Sequence, residues 1–140
     1  MEKVKYEKKY WYPNLRENET LIWERFLAKF PDAYEFVAYN VKVGEGAKIP
    51  EGTAENIAAD FTGLTQLKID VVGFIGNRID IIELKPEPRA SVLTQLKGYQ
   101  KLYAKTIDPI ADTNLVLVTA SLTPDLETIL EGEGIDVIIV

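Results

Sequence analysis

Two β-rich segments on either side of a short turn constrain the fold of this chain more than any other feature. Leu67–Ile75 and Arg78–Lys85 each alternate apolar or β-branched side chains with polar ones, and Gly76 and Asn77 separate them. Such alternation around a two-residue turn with glycine is the sequence pattern of a β-hairpin. The sequence therefore predicts an antiparallel pair of strands over residues 67–85.

The turn also fixes which residues of the two strands face each other. If Ile75 faces Arg78, then Asp70 stands opposite Glu83, and directly opposite residues of an antiparallel pair lie on one face of the sheet. Lys85 points to the same face because side chains alternate along a strand. The hairpin is therefore expected to bring two carboxylates and an ammonium group together.

Two carboxylates at this spacing repel each other, and burying unpaired charge is unfavourable. A divalent cation with oxygen ligands removes the repulsion, and a nearby lysine is then able to orient a water molecule or neutralise a phosphate. These groups suit the metal-assisted hydrolysis of a phosphodiester. The alternative interpretation is an amphipathic hairpin whose charged face contacts solvent.

At these positions the sequence resembles the PD-(D/E)XK nuclease superfamily, whose motif is an acid on one strand and Glu-x-Lys on the next. Asp70 and Glu83-Leu84-Lys85 match that motif, while Ile69 replaces the proline that often precedes the first acid. The resemblance implies that Asp70, Glu83 and the Leu84 carbonyl hold Mg²⁺ or Mn²⁺. It also implies that Lys85 positions or activates the attacking water.

A helix is predicted from Ala90 to about Lys105, because large apolar side chains recur along one side of it: Val92, Leu96, Tyr99 and Tyr103. Within it, Gln95 and Tyr99 lie one turn apart on one face. They resemble the Gln-x-x-x-Tyr motif of the superfamily branch that includes RecB-like and lambda-exonuclease-like nucleases. That resemblance implies that both side chains orient the substrate phosphate or Lys85. The alternative is a polar neighbour beside a core tyrosine.

An earlier helix is predicted from about Arg16 to Phe30, where Pro31 ends it. Glu19 falls near the middle of its apolar stripe, a position where a carboxylate is unexpected. The superfamily often has a glutamate on its first helix that reaches the metal site, so Glu19 is a further candidate ligand. The alternative is that Glu19 stabilises the start of the helix through its dipole.

Basic residues suggest two contacts with nucleic acid. Lys97, Lys101 and Lys105 recur on one side of the predicted helix, and Arg89 lies just before it. This ridge is either a phosphate-binding surface or a solvated helix face. The N-terminal arm, residues 1–15, and Arg16 directly after it interleave basic with aromatic side chains, which suits an arm that grips a backbone and stacks on bases. The alternative is that the arm packs its aromatic side chains on the domain or on a partner subunit.

The connection over residues 44–66 is long and contains several glycines, with a short helix expected over residues 53–60. A connection of this length indicates a functional loop or a flap over the site. Its acidic residues Glu55 and Asp60 are expected to face solvent.

The remaining segments complete an α/β domain. Residues 33–43, 114–120 and 135–140 have the composition of strands, and residues 124–131 that of a helix capped by Thr123. The predicted order is α-β-β-β-α-β with an extra C-terminal helix and strand. This order gives a mixed β-sheet flanked by helices, and it resembles the restriction-endonuclease-like core of the superfamily.

Composition narrows the chemistry further. The 140 residues suit a single domain, taken as residues 1–140 including the N-terminal arm. The chain has no cysteine and no histidine, which excludes thiolate and histidine metal sites and leaves oxygen ligands, as Mg²⁺ or Mn²⁺ prefers. The net charge of −6 counts against broad affinity for nucleic acid.

No segment resembles a membrane span or a signal peptide, so a cytoplasmic protein is expected.

The sequence therefore predicts a Mg²⁺- or Mn²⁺-dependent nuclease that hydrolyses DNA. A homo-oligomer is expected, because one small module offers little surface for holding a duplex. One alternative is a non-catalytic module of the same fold that binds nucleic acid or protein. Another is a small α/β interaction protein whose hairpin charges face solvent.

Overall fold

A computed structural model describes all 140 residues. It contains six strands, namely β1 (Val4–Lys5), β2 (Phe36–Val43), β3 (Leu67–Ile75), β4 (Arg78–Leu84), β5 (Thr113–Thr119) and β6 (Ile135–Ile139). The four helices are α1 (Glu17–Lys29), α2 (Glu55–Thr65), α3 (Ser91–Thr106) and α4 (Pro124–Gly132). None of these helices has the length and apolar composition that crossing a bilayer requires.

The six strands form one mixed sheet in which spatial order follows chain order, from β1 to β6. Strands β1 to β4 pair antiparallel; a two-residue turn joins β3 to β4, whereas α1 lies between β1 and β2 and α2 lies between β2 and β3. Strands β4, β5 and β6 pair parallel, and α3 and α4 make the crossovers between them. The predicted mixed sheet flanked by helices is confirmed.

The hairpin register matches the prediction. Ile75 pairs with Arg78, and the pairing continues in step as far as Val71 with Ile82. Gly76 has φ of 53°. A positive φ at the first central residue is the conformation of a type II′ turn, whose twist fits the flanking strands.

Helices cover both faces of the sheet. On one face α1 buries Ile22, Trp23, Phe26 and Leu27 against strand residues such as Val71 and Ile82. On the other face α3 buries the predicted side chains Val92, Leu96, Tyr99 and Tyr103, and α4 adds Leu126 and Leu130. Thr123 caps α4 by accepting the Leu126 N–H at 3.4 Å. The strands of the hairpin are therefore enclosed between two helical layers.

The helix before β3 differs from the sequence prediction, whereas the N-terminal segment follows the alternative in which its aromatic side chains pack on the domain. The helix expected over residues 53–60 runs from Glu55 to Thr65 and buries no side chain. Because it has no core-facing side, its apolar periodicity did not show its length. Glu55 and Asp60 are exposed as predicted. The N-terminal segment is tied to the sheet as edge strand β1, and its Tyr6 hydroxyl donates to the Phe30 carbonyl at 2.6 Å.

Candidate active site

The two strands of the hairpin separate where the predicted acidic residues lie. The β3–β4 ladder ends at Val71–Ile82, one pair before Asp70 and Glu83. The main-chain N–H of Leu84, which would otherwise pair with β3, donates to Asp70 Oδ2 at 3.0 Å. The Asp70 carboxylate therefore replaces a carbonyl of the ladder and is fixed at the opening between the strands.

The neighbouring strand β2 is distorted at the same level. Pairing with β3 is regular at Tyr39–Val71 and at Val41–Ile69 but skips Asn40 and Asp70. Asn40 has φ of 52°, in the left-handed region that few non-glycine residues occupy. The ladder between β2 and β3 is therefore interrupted at the position of Asp70.

The Leu84 main chain also faces this opening. The N–H and C=O groups of one strand residue point to the same neighbouring strand. Because the Leu84 N–H points to Asp70, its carbonyl lies on the β3 side as well, beyond the end of the ladder. The next residue turns the other way, since the Lys85 N–H donates to the Val118 carbonyl at 3.1 Å.

Glu83 is almost fully buried, with 3% of its surface exposed. Two buried side-chain oxygens in the protein lack a hydrogen-bond partner, Glu83 Oε2 and Asn40 Oδ1, and their residues flank Asp70 on the two neighbouring strands. An orphaned carboxylate oxygen in the interior is unfavourable unless a cation or water completes its contacts. A solvent-facing hairpin, one alternative from the sequence, is therefore not what the chain forms.

The two carboxyl groups perturb each other. Burial raises the pKa of Glu83 above its usual range, and the charge of Asp70 and a hydrogen bond to it raise that pKa further. Burial also raises the pKa of Asp70, with the charge of Glu19 adding to the effect and the Leu84 N–H opposing it. Repulsion between buried carboxylates is the electrostatic condition that a bound cation relieves.

The predicted site residues meet in one cavity of about 440 Å³. Most of its lining side chains are polar, and the full set is Asn14, Leu15, Arg16, Glu19, Lys68, Asp70, Glu83, Lys85, Gln95 and Tyr99. All five predicted catalytic residues are included, together with Glu19. A larger groove of about 570 Å³ lies at the turn end of the hairpin and has no buried charged side chain.

Gln95 and Tyr99 form a fixed pair on α3. Gln95 Nε2 donates to Tyr99 Oη at 2.8 Å, which leaves the tyrosine proton free to donate to another group. Burial raises the pKa of Tyr99 to about 12, and the charge of Glu83 contributes. Tyr99 therefore stays protonated, and its hydroxyl is available as a hydrogen-bond donor beside the carboxylates.

Glu19 combines both interpretations of its sequence position. Its Oε1 accepts the Arg16 N–H at 2.9 Å, which stabilises the start of α1. Its side chain also lines the cavity and raises the pKa of both acidic residues. However, no group of three or more metal-binding side chains converges anywhere in the chain. The site therefore offers two close carboxylates, with Glu19 further away.

Two further basic residues line the cavity: Arg16, which the sequence grouped with the basic N-terminal arm, and Lys68, which the sequence did not single out. Lys68 precedes Asp70 by two residues, so strand alternation alone would have placed it on the same face. Together with Lys85 they are the cationic side chains of the cavity, and none of the three forms a salt bridge. A cavity with free cations beside paired carboxylates suits a ligand that carries both a metal and an anion.

The predicted basic ridge on α3 lies outside this cavity. Lys97 pairs with Glu133 at 4.0 Å and Lys105 with Glu45 at 3.5 Å, whereas Arg89 and Lys101 are exposed and form no salt bridge. Acidic partners thus accompany two of the four basic residues. Contact between the ridge and nucleic acid stays a prediction.

The donor set fits a hard divalent cation. Asp70 and Glu83 supply carboxylate oxygens, Leu84 a carbonyl on the same side, and no nitrogen or sulfur ligand is present. The orphaned Glu83 Oε2 supplies the buried oxygen that such an ion requires. Mg²⁺ and Mn²⁺ both take oxygen ligands of this kind.

The carboxylate pair predicts how stability depends on pH when no divalent ion is bound. Because the pKa of Glu83 is higher in the folded than in the unfolded protein, the folded state binds more protons above about pH 4.3, the ordinary Glu pKa. The free energy of unfolding should therefore fall as the pH rises through neutrality. Thermal unfolding in EDTA should show this slope, and Glu83→Gln should flatten it.

A carboxylate on the surface serves as the control. Glu131→Gln alters an exposed side chain of α4 and should leave the slope as in the wild type. Equal slopes in wild type and Glu83→Gln would show that the pair does not repel in the folded protein.

Comparisons with known proteins support the fold. No model of a known protein family matches the chain, and no curated protein sequence matches it. Among solved structures, the crystal structure of a repair endonuclease from Pyrococcus abyssi is similar, with a TM-score of 0.50 and 19% sequence identity. The match covers 91% of this chain and 48% of that one, so the chain spans about half the length of that protein. The predicted restriction-endonuclease-like fold is confirmed.

Proposed function

We propose that this chain is a Mg²⁺- or Mn²⁺-dependent nuclease that hydrolyses phosphodiester bonds in DNA. The observation that carries the proposal is the carboxylate pair of half-buried Asp70 and buried Glu83, which lies at the opening of the hairpin with Lys85 in the same cavity. The similar repair endonuclease supports it at the level of the fold. The Gln95–Tyr99 pair supports the finer assignment to the superfamily branch with the Gln-x-x-x-Tyr motif.

Each residue has a distinct role in the proposal. Asp70, Glu83 and the Leu84 carbonyl would hold the ion. When bound, the ion would lower the pKa of a water molecule and stabilise the charge that develops on the phosphate. Lys85 would position the attacking water, since its ammonium group has no salt-bridge partner to hold it elsewhere. Tyr99, held by Gln95, would donate a hydrogen bond to a phosphate oxygen.

Incubation with DNA tests the proposal. Linear and circular DNA, each single- and double-stranded, is incubated with the protein in Mg²⁺, in Mn²⁺ and in EDTA. Cleavage is expected with either ion and not in EDTA, and cutting of circular substrates would identify an endonuclease. Failure to cut any substrate would contradict the proposal. It would favour the non-catalytic module, which predicts no stabilisation of the fold by divalent ions.

Glu19→Gln separates the two contributions of that side chain. Glutamine still accepts the Arg16 N–H, so the melting temperature should stay at the wild-type value. The loss of a negative charge near the ion should weaken Mn²⁺ binding by about tenfold, the effect usual for residues that interact with metal ligands without contacting the metal. Calorimetric titration with Mn²⁺ measures the change. Unaltered Mn²⁺ affinity would assign Glu19 to helix capping alone.

A further inference from the structure

The aromatic residues of the N-terminal segment divide into two groups. Tyr6 and Tyr12 are buried, and each contacts other aromatic rings of the core. Tyr10 is fully exposed and Trp11 largely exposed, at 111% and 72% of their reference surface. Neither contacts another ring or packs on either hydrophobic cluster. Tyr6 and Tyr12 therefore stabilise the fold, whereas Tyr10 and Trp11 have no structural role.

The exposed pair is attached to well-held neighbours. The Tyr12 ring packs on Tyr39 with 5.4 Å between ring centroids, and its hydroxyl accepts the Lys9 N–H at 2.9 Å. These contacts fix the chain on both sides of Tyr10 and Trp11. The backbone that carries the two exposed rings is therefore already ordered in the free protein. A ligand that binds these rings does not have to order that backbone first.

This segment leads directly into the candidate active site. Asn14, Leu15 and Arg16 line the cavity that contains the carboxylate pair. Three residues of extended chain span at most about 11 Å, so the Trp11 backbone lies within that distance of the Asn14 backbone. A nucleic-acid strand with a phosphate in the cavity would thus bring its neighbouring bases close to Trp11.

The charges around the cavity suit such a strand. Arg16, Lys68 and Lys85 line it without salt-bridge partners, although the chain as a whole carries a net charge of −6. Arg16, Lys68 and Lys85 therefore supply three cationic groups for phosphates in the cavity that the chain reaches three residues after Trp11. Proteins that bind single strands combine such cationic grooves with exposed aromatic rings.

We infer that Tyr10 and Trp11 form a stacking surface for unpaired bases, and that the site therefore takes single-stranded DNA in preference to duplex. In a duplex the faces of the bases are covered by their neighbours, so an aromatic ring has no base face to contact. The inference rests on the proposed function, since it takes the Asp70–Glu83 cavity as the position of the phosphate.

Binding in EDTA tests the inference without cleavage. Fluorescence anisotropy with a labelled oligothymidylate and with a blunt duplex gives the two affinities. Trp11→Ala should weaken single-strand binding by about tenfold or more, because a base stacked on an aromatic ring contributes on that scale. It should leave the weaker duplex binding unchanged, and Trp11→Phe should restore most of the single-strand affinity. Ile110→Ala, which removes a side chain that is 91% exposed, is the matched control and should have no effect.

Tryptophan emission gives a second measurement. The chain has two tryptophans, of which Trp23 is fully buried, so the response of an exposed tryptophan to DNA reports on Trp11. Single-stranded DNA should quench this emission, and the quenching should vanish in Trp11→Phe. If Trp11→Ala binds single strands as tightly as the wild type does, the inference is overturned. A change of oligomeric state in Trp11→Ala would overturn it too, by showing that a second copy covers the pair.

The two proposals fail differently. A protein that binds single strands through Trp11 but cuts no DNA would refute the nuclease and retain the stacking surface. If the wild type cuts DNA in the presence of Mg²⁺ or Mn²⁺, and Trp11→Ala binds single strands as tightly as the wild type does, the nuclease proposal stands and the stacking surface is refuted.

Discussion

Lys85→Ala should lower the rate of DNA cleavage by about 10²–10⁴-fold, the usual contribution of a side chain that positions or activates an attacking group. Lys85 is only partly buried and forms no salt bridge, and its charge offsets only part of the rise in the pKa of Asp70 and Glu83. The melting temperature should therefore change little. Initial rates of the wild type and the variant, measured in Mn²⁺ at equal folded concentration, give the ratio.

Two further variants show whether the lower cleavage rate is specific to Lys85 and separate from metal binding. Lys29→Ala removes an exposed lysine at the end of α1 and should cut at the wild-type rate. Glu83→Gln should lose both cleavage and the stabilisation by Mn²⁺, whereas Lys85→Ala should keep the stabilisation. Cleavage by Lys85→Ala at the wild-type rate would remove Lys85 from the mechanism.

Gly73→Ala should destabilise the fold by about 3 kcal/mol, the upper end of the usual range for overpacking a core. A Cβ atom at Gly73 would lie 2.5 to 2.7 Å from three ring carbons of Tyr34. That ring is unable to move aside, because its hydroxyl donates to buried Asp80 at 2.6 Å, while the ring stacks on Phe26 and makes an edge contact with Tyr6. Urea unfolding of both proteins gives the difference in unfolding free energy.

Gly98→Ala is the matched control. Gly98 lies inside α3 with no atom within 4 Å of the position of a Cβ, and alanine is favoured over glycine in helices. This variant should be more stable than wild type by about 0.5–1 kcal/mol. A Gly73→Ala protein as stable as wild type would show that Tyr34 is not held as described.

The sequence was most informative where the chain is regular. The Gly76 turn and the alternation on both sides of it predicted the hairpin register, because side chains in strands repeat every two residues. The helical spacing likewise predicted the four buried side chains of α3. These periodicities predicted that Asp70, Glu83 and Lys85 share one face of the hairpin and that Gln95 and Tyr99 share one face of the helix; the folded chain brings all five into one cavity.

The sequence was least informative where regular structure ends. The ladder stops beside Asp70, and Asn40 takes a left-handed conformation that no local pattern predicts. Arg16 reaches the cavity from a segment without periodicity, and for the same reason the sequence did not separate the buried Tyr12 from the exposed Trp11. The acidic partners of the α3 ridge are also distant in sequence, so the spacing of its lysines did not reveal them.

The central claim is that Asp70 and Glu83 together hold the divalent ion, and binding of Mn²⁺ to the free protein tests it most directly. Calorimetric titration of the wild type should show one tight site per chain, with affinity that rises with pH because the ion displaces a proton from the pair. Glu83→Gln, which preserves the shape of the side chain, should abolish that site. Mn²⁺ binding of equal strength in wild type and Glu83→Gln would place the ion elsewhere and contradict the account.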